Sequence, residues 1–174
     1  MSALLYLAEL PETVSLMDAR ILIGSWLGMG LVEPLRAGLA VASVWPLAVL
    51  LSRGALATRV TAALVVFIIG AWAADAWENL VLTSDDRRIV VDEVAGYLAG
   101  MAIIGRTGWL AAGGFAGLFL ALDRLKPWPF DRVEKIPGGI GIMLDDVAVG
   151  LALGLAVLLA TVLWRKRAGR KTTP

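Results

Sequence analysis

The feature that most constrains this fold is a series of long apolar runs, each closed by a short charged segment. Hydrophobic residues make up 59% of the 174 residues and charged residues 18%, with a mean hydropathy of +0.78. Soluble domains average about 45–50% apolar and about 25% charged residues, so this composition indicates a membrane protein. A helix satisfies its own backbone hydrogen bonds in lipid. The sequence therefore predicts an all-α polytopic membrane bundle with helices over residues 37–52, 60–77, 89–105, 109–125 and 142–164.

The lengths of these runs limit how many can cross the bilayer. A hydrocarbon core about 30 Å thick needs roughly 20 helical residues, and only 142–164 reaches that length without polar ends. We predict four to five transmembrane helices. Residues 21–32 are too short to span and predict a re-entrant or surface segment, whereas residues 1–19 predict an interfacial arm. The whole chain, 1–174, then forms one membrane domain with a helical core over 20–164 and a basic tail over 165–174.

Composition also excludes several kinds of chemistry. The chain has no Cys and no His, so it holds neither a thiolate-bound nor an imidazole-bound metal and runs no imidazole acid–base catalysis. Its net charge of +1 gives no overall field that would attract nucleic acid. Catalysis must therefore depend on carboxylates, Lys, Arg, hydroxyls or a hard metal ion.

Acidic residues stand inside or beside the apolar runs, where charges are costly. If the runs alternate in direction, the clusters at Asp92-Glu93, Asp123 and Asp145-Asp146 all fall on one face of the membrane, together with Asp85. An unpaired carboxylate within a bilayer costs at least about 2.5 kcal/mol, and neighbouring carboxylates repel one another. A cation between them would resolve both costs, and an all-oxygen site favours Mg²⁺. The alternative is that each acid caps a helix start or extends to the interface.

Two further features lie near these acids. Gly138, Gly139 and Gly141 precede the last run, where exposed backbone N–H groups could cradle an anion, although an ordinary flexible loop has the same composition. Lys126 is three residues after Asp123 and so shares its helix face.

Glycines four residues apart recur in three of the runs. Such spacing puts small residues on one helix face and lets backbones approach closely in lipid. We predict close helix packing at Gly96 with Gly100, Gly113 with Gly117, and Gly150 with Gly154.

Two motifs carry a family resemblance. Residues 89–96 read Ile-Val-Val-Asp-Glu-Val-Ala-Gly after Asp85; residues 123–130 read Asp-Arg-Leu-Lys-Pro-Trp-Pro-Phe, with Gly-Gly-Ile-Gly-Ile-Met-Leu-Asp-Asp at 138–146. Together they resemble the signature of the phosphatidylglycerophosphatase A family over about residues 20–160. The resemblance implies a Mg²⁺-dependent bacterial membrane phosphatase that converts phosphatidylglycerophosphate to phosphatidylglycerol. The chain departs from the family at Pro34-Leu35-Arg36, at Leu120, where an Arg is usual, and at Asp86-Arg87-Arg88, where Pro or Gly is usual.

The leading hypothesis is a lipid phosphate monoesterase in the bacterial cytoplasmic membrane, with its active site facing the cytoplasm. Its partners would be the bilayer and a phospholipid substrate, and the sequence leaves homo-oligomerisation open. Two alternatives remain: a relative that acts on another lipid phosphate or is inactive, and a small membrane protein that carries or binds a cation. The residues assigned to catalysis and Mg²⁺ binding are Asp92, Glu93, Asp123, Asp145 and Asp146; those assigned to the substrate phosphate are Lys126, Gly138, Gly139, Gly141 and Arg36.

Overall fold

The computed structural model describes residues 5–83, 86–125 and 136–170, and within them the chain is mostly helical. A short antiparallel pair of strands, β1 (Tyr6–Leu7) and β2 (Val32–Glu33), joins the N-terminal arm to the start of the bundle. The helices in chain order are α1 (Ala19–Gly24), α2 (Arg36–Leu51), α3 (Leu56–Val81), α4 (Val91–Ile104), α5 (Trp109–Leu125) and α6 (Gly139–Arg170).

Helix α4 is the centre of the bundle. It packs against α2, α3, α5 and α6, and its residues from Val94 to Ala102 are all buried. Its largest interface is with α6, to which it runs parallel. At this interface a Cβ on Gly150 would collide with the carbonyl oxygen of Gly96, and one on Gly154 would press on the Gly100 backbone. The predicted packing of these two glycine pairs is therefore confirmed.

The third glycine pair behaves differently. Gly113 lies against the Trp45 ring, but no side chain or distant backbone atom lies within 4 Å of the Cβ position of Gly117. The prediction of close packing is thus right for Gly113 and wrong for Gly117, which faces outward on α5.

Helix directions bring four helix ends together. Helix α5 runs antiparallel to α4, since Phe115 packs at Gly100 and Phe119 at Gly96. Helix α3 is antiparallel to α6, with Gly70 against Met143 near the α6 start. The ends of α3 and α5 and the starts of α4 and α6 therefore share one end of the bundle, which we call the site end.

The N-terminal segment is more ordered than a loose arm. Gly24 at the end of α1 packs on the Trp77 ring, and the Gly24 carbonyl accepts a hydrogen bond of 2.9 Å from the Val90 N–H. The run 21–32, expected to be re-entrant or superficial, forms α1 and a 3₁₀ turn over Met29–Leu31. The β1–β2 pairing was not predicted, because two-residue strands carry no readable alternation.

Two helices are long and apolar enough to span a membrane. Helix α3 has 26 residues and α6 has 32, and both present large apolar side chains to the outside. Helices α2, α4 and α5 have 16, 14 and 17 residues, short of the roughly 20 that a full crossing needs. The four to five spans expected from the sequence therefore stay a prediction. The outward apolar side chains include Leu64, Ile68 and Trp72 on α3 and Leu151, Leu155 and Leu159 on α6.

Candidate functional site

Three carboxylates meet at the site end of α4 and α6. Asp92 and Glu93 lie in the first turn of α4, where the N-terminal end of the helix dipole favours negative charge. Asp146 reaches them from α6, and one oxygen of each carboxylate lies within 4.8 Å of the other two. This spacing is compact enough for the three groups to share a cation.

A fourth acid approaches from α5. Asp123 lies in the last turn of that helix, and its charge acts on Asp92, Glu93 and Asp146. The predicted convergence is therefore seen for Asp92, Glu93 and Asp146, with Asp123 close enough for its charge to act on them. Asp145 is also buried, but it is not part of the three-carboxylate group. One residue turns a helix by about 100°, so Asp145 and Asp146 leave α6 in different directions.

Several oxygens of this acid cluster have no hydrogen-bond partner among the described residues. They are Glu93 Oε2, Asp123 Oδ1 and Asp146 Oδ2, all buried. By contrast, Asp92 Oδ1 accepts a hydrogen bond of 3.1 Å from the Glu93 N–H. Burying a carboxylate oxygen without a partner is costly, and like charges at this distance repel. A hard divalent cation fits such a set of oxygen ligands.

The glycines of α4 and α6 determine how close the acids come. Gly96 stands one helical turn beyond Asp92, and a Cβ there would collide with the carbonyl of Asp146. Gly150 stands one turn beyond Asp146 and meets the Gly96 backbone in the same way. The close contact of the two helices therefore also produces the acid cluster.

The glycines assigned to the substrate phosphate make contacts within the protein at the start of α6. Gly138 has a φ of +80°, and its carbonyl accepts hydrogen bonds from the N–H groups of Gly141 and Ile142. Gly139 is pressed against the α3 backbone at Ala71. These contacts let α6 begin directly against α3.

The phosphate-binding role of the glycines stays a prediction, as does that of the two basic residues. Arg36 is paired with Glu33 at the start of α2. Lys126 and Asp85 lie outside the described residues.

One acid near the site had no assigned role. Asp75 on α3 places Oδ1 3.2 Å from the Cβ position of Gly138, next to the start of α6. The signal in the sequence was a single carboxylate within an otherwise apolar run at 60–77.

An ion pair between half-buried Arg88 and buried Asp86 orders residues 86–90, just before α4. Arg88 binds the Asp86 carboxylate through its guanidinium and its backbone N–H, the latter at 3.0 Å, and the Trp77 indole donates to Asp86 at 3.2 Å. Burial alone would raise the pKa of Asp86, but these hydrogen bonds together hold that pKa below its usual value. Arg88 also donates to the carbonyl of Glu9 and so ties the N-terminal arm to the site end.

Comparison with known proteins gives a consistent assignment. The family described as Phosphatidylglycerophosphatase A matches residues 22–161. A protein of Bacteroides thetaiotaomicron, named as a candidate phosphatidylinositol-3-phosphatase, is 34% identical over 152 residues, covering 83% of this chain and 93% of its own. The Phosphatidylglycerophosphatase A of Escherichia coli is 39% identical over 71 residues, covering 38% of this chain and 40% of its own. No solved structure matches.

Proposed function

Because the chain belongs to the phosphatidylglycerophosphatase A family, we propose that it is a phosphatase that hydrolyses phosphatidylglycerophosphate to phosphatidylglycerol and phosphate. The family suggests a lipid phosphatase, and with the two apolar helices it points to a membrane protein. The named substrate, the Mg²⁺ dependence and the roles of individual residues are the proposal.

The observation that carries this proposal is the acid cluster with its unpartnered oxygens. A phosphoryl group is transferred mainly by charge neutralisation and positioning, so a phosphatase needs a cationic centre. Without His or Cys, the chain offers carboxylate oxygens, the ligands that Mg²⁺ prefers. Asp92, Glu93 and Asp146 would hold the ion, with Asp123 beside them. When bound, the ion would neutralise phosphate charge and lower the pKa of water.

The acids that do not hold the ion would handle the proton and the nucleophile. Asp145 or Asp123 would take a proton from the attacking water and pass it to the lipid oxygen, which leaves as its bond to phosphorus breaks. In the alternative route one carboxylate attacks phosphorus, the same bond to the lipid oxygen breaks, and water then hydrolyses the aspartyl phosphate to free phosphate. Lys126, Arg36 and the backbone N–H groups of Gly138 and Gly139 would contact the phosphate oxygens, whereas the Gly141 N–H is already bound to the Gly138 carbonyl.

A second candidate substrate is a lipid phosphate with another headgroup. The relative that covers most of this chain is named for phosphatidylinositol 3-phosphate, whereas the named phosphatidylglycerophosphatase aligns with less than half of it. The chain departs from the family pattern around Pro34 and at Leu120, and neither departure changes a carboxylate. These departures would therefore alter recognition of the lipid headgroup before they altered metal binding.

A phosphate-release assay on detergent-solubilised protein tests these proposals. Phosphatidylglycerophosphate, phosphatidylinositol 3-phosphate and phosphatidic acid are compared with Mg²⁺ and with excess EDTA. We expect the fastest release from phosphatidylglycerophosphate and complete loss in EDTA. Preference for phosphatidylinositol 3-phosphate would support the second candidate. Full turnover in EDTA would refute the metal role, and cation binding without any phosphate release would favour a carrier.

A further inference from the structure

An open cavity lies at the site end, and none of the acid-cluster residues lines it. Its volume is about 440 Å³, and its walls come from the N-terminal arm, β2 and the loop between α3 and α4. We call it the arm pocket. Its lining residues are Ala8, Glu33, Thr83, Asp86, Arg87 and Arg88.

The charges that line the arm pocket are mostly already paired. Glu33 is bound to Arg36, and Asp86 is bound to Arg88. Arg87 is exposed, and among the described residues the structure records no ion pair for it. The arm pocket therefore presents one guanidinium available to an anion, on a loop that the buried Asp86–Arg88 pair holds in position. Asp85 lies outside the described residues.

The arm pocket is close enough to the acids for one lipid to reach both. Asp92 is five positions after Arg87 in the chain, so their Cα atoms are at most about 18 Å apart. Both groups lie at the site end, where a lipid headgroup would meet the bundle. A long arginine side chain and a headgroup with two phosphates can bridge such a gap.

We propose that the arm pocket binds the part of the headgroup that is not hydrolysed, with Arg87 contacting its phosphodiester. This inference rests on the proposed function, and it makes Arg87 a specificity-determining residue. A phosphodiester is an anion that arginine binds through two parallel N–H donors. The phosphate monoester would then lie at the acid cluster while the phosphodiester lies at Arg87. Phosphatidic acid has only the monoester, so Arg87 would not assist it.

The kinetic test compares Arg87→Gln with wild type on phosphatidylglycerophosphate and phosphatidic acid in Mg²⁺. We expect kcat/KM to fall about tenfold or more on phosphatidylglycerophosphate, mostly through KM, and less than about twofold on phosphatidic acid. Arg87→Lys should recover part of the loss. Arg53→Gln, an exposed arginine at the opposite end of the bundle, is the matched control and should leave both substrates unchanged. Equal losses on both substrates, or no loss, would overturn the proposal.

A binding test separates this proposal from the proposed function. The chain has no Cys, so Thr83→Cys introduces a single site for an environment-sensitive fluorophore at the pocket wall. Glycerophosphoglycerol, which carries a phosphodiester and no monoester, should give a saturable signal that Arg87→Gln weakens about tenfold. Inorganic phosphate offers Arg87 the same oxygens but lacks the glycerol groups that the pocket would also hold, so it should bind more weakly than glycerophosphoglycerol. Equal or tighter binding of inorganic phosphate, or no glycerophosphoglycerol signal, would overturn the arm pocket assignment even if the protein hydrolyses lipid phosphates.

Discussion

Asp146 is the residue that α6 contributes to the acid cluster, beside the acids of α4 and α5. It is 3% exposed, and its carboxylate is subject to the charges of Asp92, Glu93 and Asp123. In the absence of a cation these charges oppose folding, and with one they become its ligands. The Asp146 carboxylate should therefore lower the stability of the metal-free protein and be required for its activity.

We expect Asp146→Asn to lower turnover at least about 100-fold, because it removes a charge from the proposed metal site while keeping side-chain size. Without metal, the variant should unfold at a higher temperature than wild type, since one repelling charge is gone. Added Mg²⁺ should raise the midpoint of wild type more than that of the variant. Glu12→Gln, in the exposed arm, is the control and should change neither quantity. Wild-type turnover in folded Asp146→Asn would reject the assignment.

Asp86 should make the stability of the site end depend on pH. Its native pKa is below the ordinary value, so its stabilising contribution is complete above about pH 4. That contribution is lost as the pH falls through the lowered native pKa. Unfolding midpoints measured from pH 6 to pH 2 should fall less steeply for Asp86→Asn than for wild type. If the midpoints of the two proteins fell equally with pH, the Asp86–Arg88 pair would not contribute to the pH dependence of stability.

At the scale of helices, the contact between α4 and α6 is the element on which the site depends. The glycine spacing at 96 and 100 and at 150 and 154 indicated close packing from the sequence. The sequence did not indicate which helices would pair. The same spacing occurs at Gly113 and Gly117, yet only Gly113 packs against another helix. The difference is that α5 turns Gly117 outward.

Gly150→Ala should destabilise the bundle by about 1–3 kcal/mol, because the new methyl group would overlap the Gly96 carbonyl. The forced separation of α4 and α6 should also reduce phosphatase activity by moving Asp146 away from Asp92. Gly117→Ala is the matched control: its Cβ position is open, and alanine favours helix by up to about 1 kcal/mol. The free energy of unfolding in mixed detergent measures both. Equal effects at the two glycines would contradict the packing argument.

At the scale of the whole molecule, the bundle has two chemically different ends. The site end carries the acid cluster, the N-terminal arm and the arm pocket, whereas the turn between α2 and α3 lies at the other end with Arg53 and Arg59. Basic residues are divided equally between the two predicted faces, so charge alone does not orient the protein. The family resemblance implies an active site that faces the cytoplasm, which would put the site end on that side.

Single cysteines at each end test this orientation in intact cells. Arg53→Cys should react with a membrane-impermeant maleimide added outside, and Glu12→Cys should react only after the membrane is opened. Ile68→Cys, on the outward apolar face of α3, should remain unreactive in both conditions because lipid would cover it. The reverse pattern at positions 12 and 53 would place the site end outside.

The sequence by itself determined the helical class, the approximate position of each long helix, and that Asp92, Glu93 and Asp146 lie at one end of the bundle. The apolar runs locate the helices. Because consecutive helices alternate in direction, the starts of α4 and α6 and the end of α5 must lie at the same end of the bundle. Tertiary structure decided which of the two adjacent acids on α6 joins the three-carboxylate group, that Gly141 is held in a turn with Gly138, and that the arm pairs with β2. It also decided that the departure at Asp86-Arg87-Arg88 forms a buried ion pair beside an exposed arginine. Those outcomes depend on helix rotation and on contacts between segments distant in the chain, and neither is encoded in local composition or spacing.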